Sequence, residues 1–369
     1  MRYGRALRFI SLVALLIVAG YFLGQHFQSA RSDRNVRPLA TSAHDATPAS
    51  SAAVQGSESP VSMLARIFDR LRSGNLQPGD LAALRRILLA ADPHEAMAAI
   101  LSFLTTGQDA RTGETFGIQK GGGLAAAPTF RVMLLDLLGR IARDSGSDEA
   151  LTFSKALLTR KTSADEWAIA LRNVAWSAPE DRAYLASKMR EMLAYQPWRQ
   201  QPGAGFLEAF DVIVFTRDIT FTADFAAMAN SEDDALRRAA ATAMDRLSEM
   251  APLDVMNYLN GHPDEFAALP FLRADYFSKA DLSQFQQRQA VEAYLARADV
   301  TVAEKDKLLS VFASPGSFVG DTLVTDSAAA DDPPQRTAGL RAAVGDWLKG
   351  NRFPALTGAL AQLQQRLAE

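Results

Sequence analysis

Apolar residues recur every three to four positions along most of the chain after residue 60. This spacing is typical of amphipathic α-helices, which bury one stripe of their surface. Two clear stripes are Leu81, Leu84, Leu88 and Ala91, and Leu236, Ala240, Ala243 and Leu247. Alternation with a period of two, which indicates strands, is scarce. The best strand candidate, DVIVFT at 211–216, continues directly from FLEAF, so we interpret residues 205–217 as one buried helix.

The predicted helix starts carry capping signals. In a capping box, a hydroxyl group and a carboxylate three residues later satisfy free backbone N–H groups. Four pairs match this pattern: Ser163 with Glu166, Ser177 with Glu180, Ser231 with Asp234, and Thr301 with Glu304. Pro179 and Pro252 fall in predicted first turns, where a missing N–H costs nothing. The pattern predicts an all-α fold of many short helices.

One segment also resembles a known repeat. SEDDALRRAAATAMDRLSEMAP, at 231–252, is similar to the second helix of a HEAT-type repeat, with acidic residues first and small residues where a neighbour packs. The resemblance implies stacked antiparallel helix pairs, a HEAT-like or TPR-like α-solenoid, over residues 61–312. Because no fixed repeat period accompanies it, a compact irregular helical domain stays open as the alternative.

Two stretches interrupt the helical pattern. Residues 106–128 contain six glycines, and residues 313–339 are rich in Pro, Gly, Ser and Asp. We expect both to be irregular loops, a class of segment that often carries function. After the second loop, residues 340–369 are predicted to form two C-terminal helices.

The N-terminal region predicts a membrane anchor. FISLVALLIVAGYFLG at 9–24 contains no charged residue, and extending it to residue 27 brings it close to the length of a spanning helix. Arginines 2, 5 and 8 favour a cytoplasmic stub at 1–8. We therefore predict a single-pass protein of a bacterial inner membrane with its body in the periplasm. A cleaved signal peptide is the alternative, although small residues are poorly placed for cleavage.

The predicted anchor at 9–27 is followed by a predicted tether at 28–60. The tether is rich in Ala, Ser, Thr and Pro and has few large apolar residues, so it is expected to be disordered. The six Arg and one Asp of residues 1–40 give +5, and the whole chain carries −3, so the remaining residues carry −8. An acidic body argues against nucleic-acid binding, which needs a basic face.

Familiar catalytic and metal-binding patterns are absent from the sequence. The chain has no Cys, and His94-Glu95 lacks the second His of a zinc motif because position 98 is Ala. FGIQKGGG at 116–123 places its Lys before the glycines, unlike a phosphate-binding loop. No G-x-S-x-G or S-x-x-K frame occurs. We predict no metal and no cofactor.

Three polar residues in apolar helices are the candidates if the chain is an enzyme. Glu208 and Asp211 lie three apart on one helical face, and Arg172 lies in WAIALRNVAW. Buried carboxylates with raised pKa values would suit a carboxylate-dependent hydrolase or lyase of the cell envelope. The alternative interpretation is that these groups pair across adjacent helices and set their register. We expect the second role.

A binding protein therefore fits the sequence better than an enzyme. Tyr195, Trp198 and Arg199 surround a Pro/Gly-rich turn and are the candidate residues for binding a protein or peptide partner. Alternatively, Trp198 fills the junction between two helix pairs. We expect a membrane-anchored helical scaffold that recognises its partner through its helical surface.

An anchored folding helper is a further possibility. The order of anchor, Ala/Ser/Pro-rich tether and helical body is similar to that of the lipase-specific foldases, which implies a helical clamp around an exported client. Their R-x-x-F-D-Y motif has a partial counterpart in RIFDRL at 66–71. Here Arg66 stands one residue too close to Phe68 and Asp69, and the Tyr is missing, so the resemblance is one of layout.

Overall fold

The computed structural model of the protein describes residues 59–312, 320–325 and 334–368, which belong to one compact unit. The predicted stub at 1–8, the predicted anchor at 9–27 and nearly all of the predicted tether lie outside these ranges. Within them, no helix is both long and apolar enough to cross a membrane.

The described part of the chain is predominantly helical, as the apolar periodicity predicted. The helices are α1 Pro60–Arg72, α2 Asp80–Ala90, α3 Pro93–Thr105, α4 Phe130–Ser145, α5 Glu149–Leu157, α6 Ala164–Ser177, α7 Arg182–Ala194, α8 Gln196–Gln200, α9 Ala204–Glu208, α10 Phe210–Thr216, α11 Thr222–Ala229, α12 Asp234–Met250, α13 Pro252–Gly261, α14 Pro270–Phe277, α15 Phe285–Ala296, α16 Val302–Val311, α17 Pro334–Lys349 and α18 Thr357–Arg366. Single 3₁₀ turns lie at Ile219–Phe221 and Pro354–Leu356.

The helices pack in pairs, and alternate helices also contact one another. Helices α4, α6, α10, α12, α14 and α16 follow in one continuous series of contacts, which we call the helix row. The neighbours α3, α5, α7 and α11 pack against the row, and α5 and α7 each contact two successive row helices. Because α4 has neighbours on several sides, its apolar stripe is wide, and eleven of its residues are buried.

Residues 205–217 are helical, as predicted, but they do not form one helix. A turn at Ala209 separates α9 from α10. Buried aromatic rings hold the two pieces: Phe206 packs edge-on against Phe210, with ring centres 5.5 Å apart. Arg217 has a left-handed backbone, with φ of 55°, and ends α10.

Two of the four predicted capping hydroxyls are confirmed. Ser163 accepts from the N–H of Glu166 at 3.0 Å, and Thr301 accepts from the N–H of Glu304 at 3.2 Å. The prediction for Ser177 is wrong, because this residue ends α6 instead of starting a helix.

The prediction for Ser231 is also wrong, and by two residues. Asp233 is the capping residue of α12 and accepts from the N–H of Leu236 at 2.8 Å. Pro252 lies in the first turn of α13 as predicted, whereas Pro179 lies in the turn before α7.

The glycine-rich stretch 106–128 contains a short antiparallel hairpin. Its strands are β1 Gly117–Ile118 and β2 Leu124–Ala126, with Gly117 opposite Ala126 and Ile118 opposite Leu124. In the second irregular stretch, the described part 320–325 is a bend, and α17 already begins at Pro334. Both stretches contact the helix row close to its buried ion pairs.

Candidate functional site

Buried ion pairs join successive helices of the row. Three of them pair Asp136 with Arg172, Asp211 with Arg246, and Arg273 with Glu304. In each pair both side chains are at most 8% exposed. A buried charge is costly unless it is paired and hydrogen-bonded, so each pair strongly favours one relative placement of its two helices. Arg172 and Asp211 thus pair across adjacent helices as expected, whereas Glu208, for which the same pairing was expected, is exposed and makes no ion pair among the described residues.

Arg172 of α6 lies at the centre of a buried hydrogen-bonded cluster. Its Nη1 donates to Asp136 Oδ1 at 2.5 Å and to the carbonyl of Gly122 at 2.8 Å, and its Nη2 donates to Asn173 Oδ1 at 2.8 Å. Asn173 in turn donates to the carbonyl of Leu135 at 3.1 Å. The guanidinium of Arg172 therefore has protein partners on several sides.

Asp211 of α10 accepts hydrogen bonds at both of its carboxylate oxygens. Its Oδ1 accepts from Arg246 and from the hydroxyl of Thr325, and its Oδ2 accepts from the N–H groups of Val324 at 2.6 Å and Thr325 at 2.8 Å. The carboxylate is 7% exposed. A carboxylate with four donors and little access to solvent is suited to holding the 320–325 bend in place, and it is poorly suited to accepting a proton from a substrate.

Glu208, the third enzyme candidate, differs from the other two. It is the last residue of α9 and its side chain is exposed. Desolvation by nearby protein atoms raises the pKa of its carboxyl, the negative charge of Asp211 raises it further, and Arg246 opposes the increase. The structure thus brings Glu208 near Asp211 and Arg246, whereas Arg172 contacts Asp136 instead. Within the described ranges, Arg172 makes no hydrogen bond or ion pair with Glu208 or Asp211.

The predicted partner-binding residues form part of an aromatic cluster. The Trp198 ring packs edge-on against Trp167, with centres 5.4 Å apart, and against Tyr195 at 4.8 Å. Trp167 is fully buried, and Lys161 Nζ lies 3.7 Å from the centre of its ring. Trp198, Tyr195 and Arg199 are half-buried. These contacts favour the packing role for Trp198 while leaving part of its ring accessible.

The two irregular stretches meet over the helix row, which the sequence did not indicate. A Cβ on Gly122, whose φ is +80°, would lie 2.3 Å from the Leu323 carbonyl oxygen and 3.0 Å from Trp176. The Trp176 ring lies 4.0 Å from the guanidinium carbons of both Arg143 and Arg172. The run of glycines was the one signal in the sequence. A glycine at position 122 leaves room for the Leu323 carbonyl to approach the hairpin backbone closely.

A groove between α14 and α16 is lined by Phe271 and Ala303, with Asp275, Asp306 and Lys307 also in its lining. Phe271 is 56% exposed, and Val302, which precedes Ala303 in the chain, is 52% exposed. Both residues lie in first helical turns, directly after Pro270 and Thr301, and sequence reasoning missed them. Their positions within amphipathic helices offered no signal that they face solvent.

A second groove lies between α2 and the hairpin and is rich in arginine. Its lining includes Arg85, Arg86 and Arg140 together with Leu89 and Leu124. Within the described ranges, no group of three or more His, Asp or Glu side chains is placed to hold a metal ion.

Comparison with known proteins gives no relative: no protein-family model, curated protein or solved structure matches the chain.

Proposed function

We propose that the chain is a single-pass protein of a bacterial inner membrane whose periplasmic body binds another protein or peptide through its helical surface. The body is an α-solenoid of HEAT-like helix pairs. The uncharged run at 9–24, with arginines before it, supports the anchor. The continuous helix row supports the solenoid, since stacked pairs in such arrays contact mainly their neighbours.

The observation that carries the binding role is the exposed apolar groove between α14 and α16. Phe271, which lines the groove, has a large ring with more than half of its surface in water, and Val302, which precedes the groove residue Ala303, is similarly exposed. Apolar patches with a charged rim are typical of protein–protein contact sites. A groove between two helices suits the apolar face of a partner helix, with an aromatic residue as anchor.

An enzymatic role has weaker support. Two of the three candidate catalytic residues, Asp211 and Arg172, are already engaged in ion pairs and hydrogen bonds within the fold. The aromatic residue of the foldase-like motif also lies in the core. Phe68 of RIFDRL is 4% exposed and packs against Phe103 and Phe130, with ring centres 4.8 and 5.6 Å away. This ring is therefore unavailable to a client protein.

Co-purification of the full chain from its native host tests the binding role. The Phe271→Asp variant places a charge in the groove, and Phe285→Asp is the matched control, because Phe285 is 70% exposed and lies outside the groove. We expect one recurrent partner that is lost with Phe271→Asp and retained with Phe285→Asp. A partner set that is identical for all three proteins would contradict the proposal. Protease accessibility of the body in spheroplasts tests the periplasmic location.

A further inference from the structure

The arginine groove between α2 and the hairpin has more positive charge than its carboxylates neutralise. Arg85 is neutralised, because it makes a two-pronged contact with Glu114, at 2.7 and 3.4 Å. Arg86 is exposed, and within the described ranges its guanidinium makes no ion pair or hydrogen bond.

Arg140 has only one long ion pair within the described ranges. Its Nη1 lies 4.0 Å from Asp136 Oδ2, beyond hydrogen-bond distance, and its side chain is 24% exposed. The single negative charge of Asp136 is already engaged at its other oxygen by Arg172. A partly buried guanidinium gains most from a charge-assisted hydrogen bond, so Arg140 has capacity for an anion.

The hairpin holds Arg140 toward the groove. A Cβ on Gly123 would lie 3.2 Å from Arg140 Cδ and 3.1 Å from Gln119 Nε2, so both side chains cross the hairpin where a glycine leaves room. Gln119 adds a neutral donor to the groove lining. Donors from α2, the hairpin and α4 therefore converge on one place.

The groove also has an apolar side. Leu89 is 37% exposed and lines the groove together with the buried Leu124. Its ligand therefore combines an anionic group with an apolar neighbour. The surrounding body is acidic, with −8 over residues 41–369, so a local positive groove selects for one short acidic segment and lacks the extended basic surface that a nucleic acid needs.

We infer that this groove binds an acidic segment of the protein partner, with a Glu or Asp carboxylate on Arg140 and Arg86 and an adjacent aliphatic side chain on Leu89. The inference rests on the proposed function, since it names the chemistry of that partner. The α14–α16 groove and the arginine groove would then contact different parts of the same partner or of its complex.

A synthetic peptide probe tests the inference without the native partner. Fluorescein-labelled Ala-Glu-Leu-Glu-Ala, capped at both ends, is titrated with the full chain in detergent and followed by fluorescence anisotropy. The neutral Ala-Gln-Leu-Gln-Ala peptide is the matched ligand. We expect the Glu peptide to bind about tenfold more tightly than the Gln peptide, as removal of a charge-assisted contact implies, and to weaken with added salt.

Variants then locate the site. Arg140→Gln and Arg86→Gln are each expected to weaken the Glu peptide about fivefold to tenfold. Arg238→Gln, an exposed arginine on α12 far along the chain, is the matched control and is expected to change affinity less than twofold. Because Arg86 is exposed, its variant stays informative even if Arg140→Gln disturbs folding.

Three results would overturn the inference. They are equal binding of the Glu and Gln peptides, an unchanged affinity in Arg86→Gln, and stronger competition by a single-stranded oligonucleotide than by unlabelled Glu peptide. Phe271→Asp should leave peptide binding intact. Failure here, with the Phe271-dependent partner still recovered, would therefore remove the acidic-segment inference alone.

Discussion

Arg246 of α12 and Asp211 of α10 form a buried ion pair, and the 320–325 bend hydrogen-bonds to both of its partners. The hydroxyl of Thr325 contacts both partners, and two backbone N–H groups of the bend donate to the same carboxylate. One side chain thus connects two row helices and a segment more than 110 residues away in sequence. The pair is a structural joint of the helix row.

Removal of the carboxylate should therefore destabilise the fold strongly. We predict that Asp211→Ala lowers the free energy of unfolding by about 3–5 kcal/mol, because it leaves the buried Arg246 without a counter-charge and two N–H groups without an acceptor. Arg246→Met should cost less, since three donors to Asp211 remain. Urea denaturation of the body measures both changes.

The Arg190–Asp218 pair provides the control for that prediction. Its side chains are 51% and 22% exposed, and its Nη2–Oδ2 distance is 2.6 Å. Because exposed ion pairs contribute little, Arg190→Ala should cost at most about 1 kcal/mol. A similar cost for Asp211→Ala and Arg190→Ala would contradict the structural role of the buried pair.

Gly122 should be far less tolerant of substitution than its neighbour. Gly121 and Gly122 both have left-handed backbones, with φ of +82° and +80°, but only Gly122 has neighbours where a Cβ would lie. Gly121→Ala should cost about 1 kcal/mol from backbone strain. Gly122→Ala adds a collision with the Leu323 carbonyl, so we predict at least a further 1 kcal/mol.

Hydrogen exchange separates the two glycine variants further. Because Gly122 contacts the 320–325 bend, its variant should speed exchange of the Val324 and Thr325 amides, whereas Gly121→Ala should leave them unchanged. Equal exchange in the two variants would show that the hairpin does not support the bend.

The sequence predicted local features well and distant contacts poorly. The all-helical class followed from apolar periodicity, and the caps at Ser163 and Thr301 followed from local hydrogen bonding. The two capping-box carboxylates make ion pairs with other helices instead of capping their own. Glu166 pairs with Arg131 and Glu304 pairs with Arg273 on neighbouring row helices. An inter-helical ion pair in a buried setting outweighs a cap that water can replace.

The contacts of the candidate site were likewise predictable only in part. That Asp211 and Arg172 would pair across helices was predictable from polar residues in apolar stripes. Their partners, Arg246 and Asp136, were not, since nothing local links positions 35 or 36 residues apart. The meeting of Gly122 with Leu323 depends on two irregular stretches that carry no periodic signal.

Glu208 should make stability depend on pH in the acid range. Its pKa is raised in the folded protein, so the protonated form is favoured by folding. Its contribution is fully present below the unfolded value near 4.5 and is lost as pH rises through the raised folded pKa. Glu208→Gln should therefore gain stability relative to the wild type as pH rises from 4 to 7.

Carbon-13 NMR of the Glu208 carboxyl measures the titration directly. We expect a midpoint above the usual Glu range, and a still higher midpoint in Arg246→Met, because Arg246 opposes the increase. A midpoint at or below the usual value would contradict the desolvation of this exposed side chain by its neighbours.

Trp198 should contribute more to stability than to recognition. Because its ring packs on Trp167 and Tyr195, Trp198→Ala is predicted to lower the free energy of unfolding by about 2–3 kcal/mol, and Trp198→Phe much less. Thermal unfolding of both variants checks this. If Trp198→Ala keeps full stability but loses the co-purified partner, Trp198 is a partner anchor instead.

The central claim is that the α14–α16 groove binds a partner protein, and site-specific photo-crosslinking in living cells tests it most directly. A photoreactive amino acid at the exposed position 302 of the full chain stands directly before the groove residue Ala303, and one at the exposed position 238 is the control. The account predicts one recurrent protein adduct from position 302 that Phe271→Asp abolishes and Phe285→Asp preserves. Adducts that are absent at position 302, or the same as those at position 238, would contradict it.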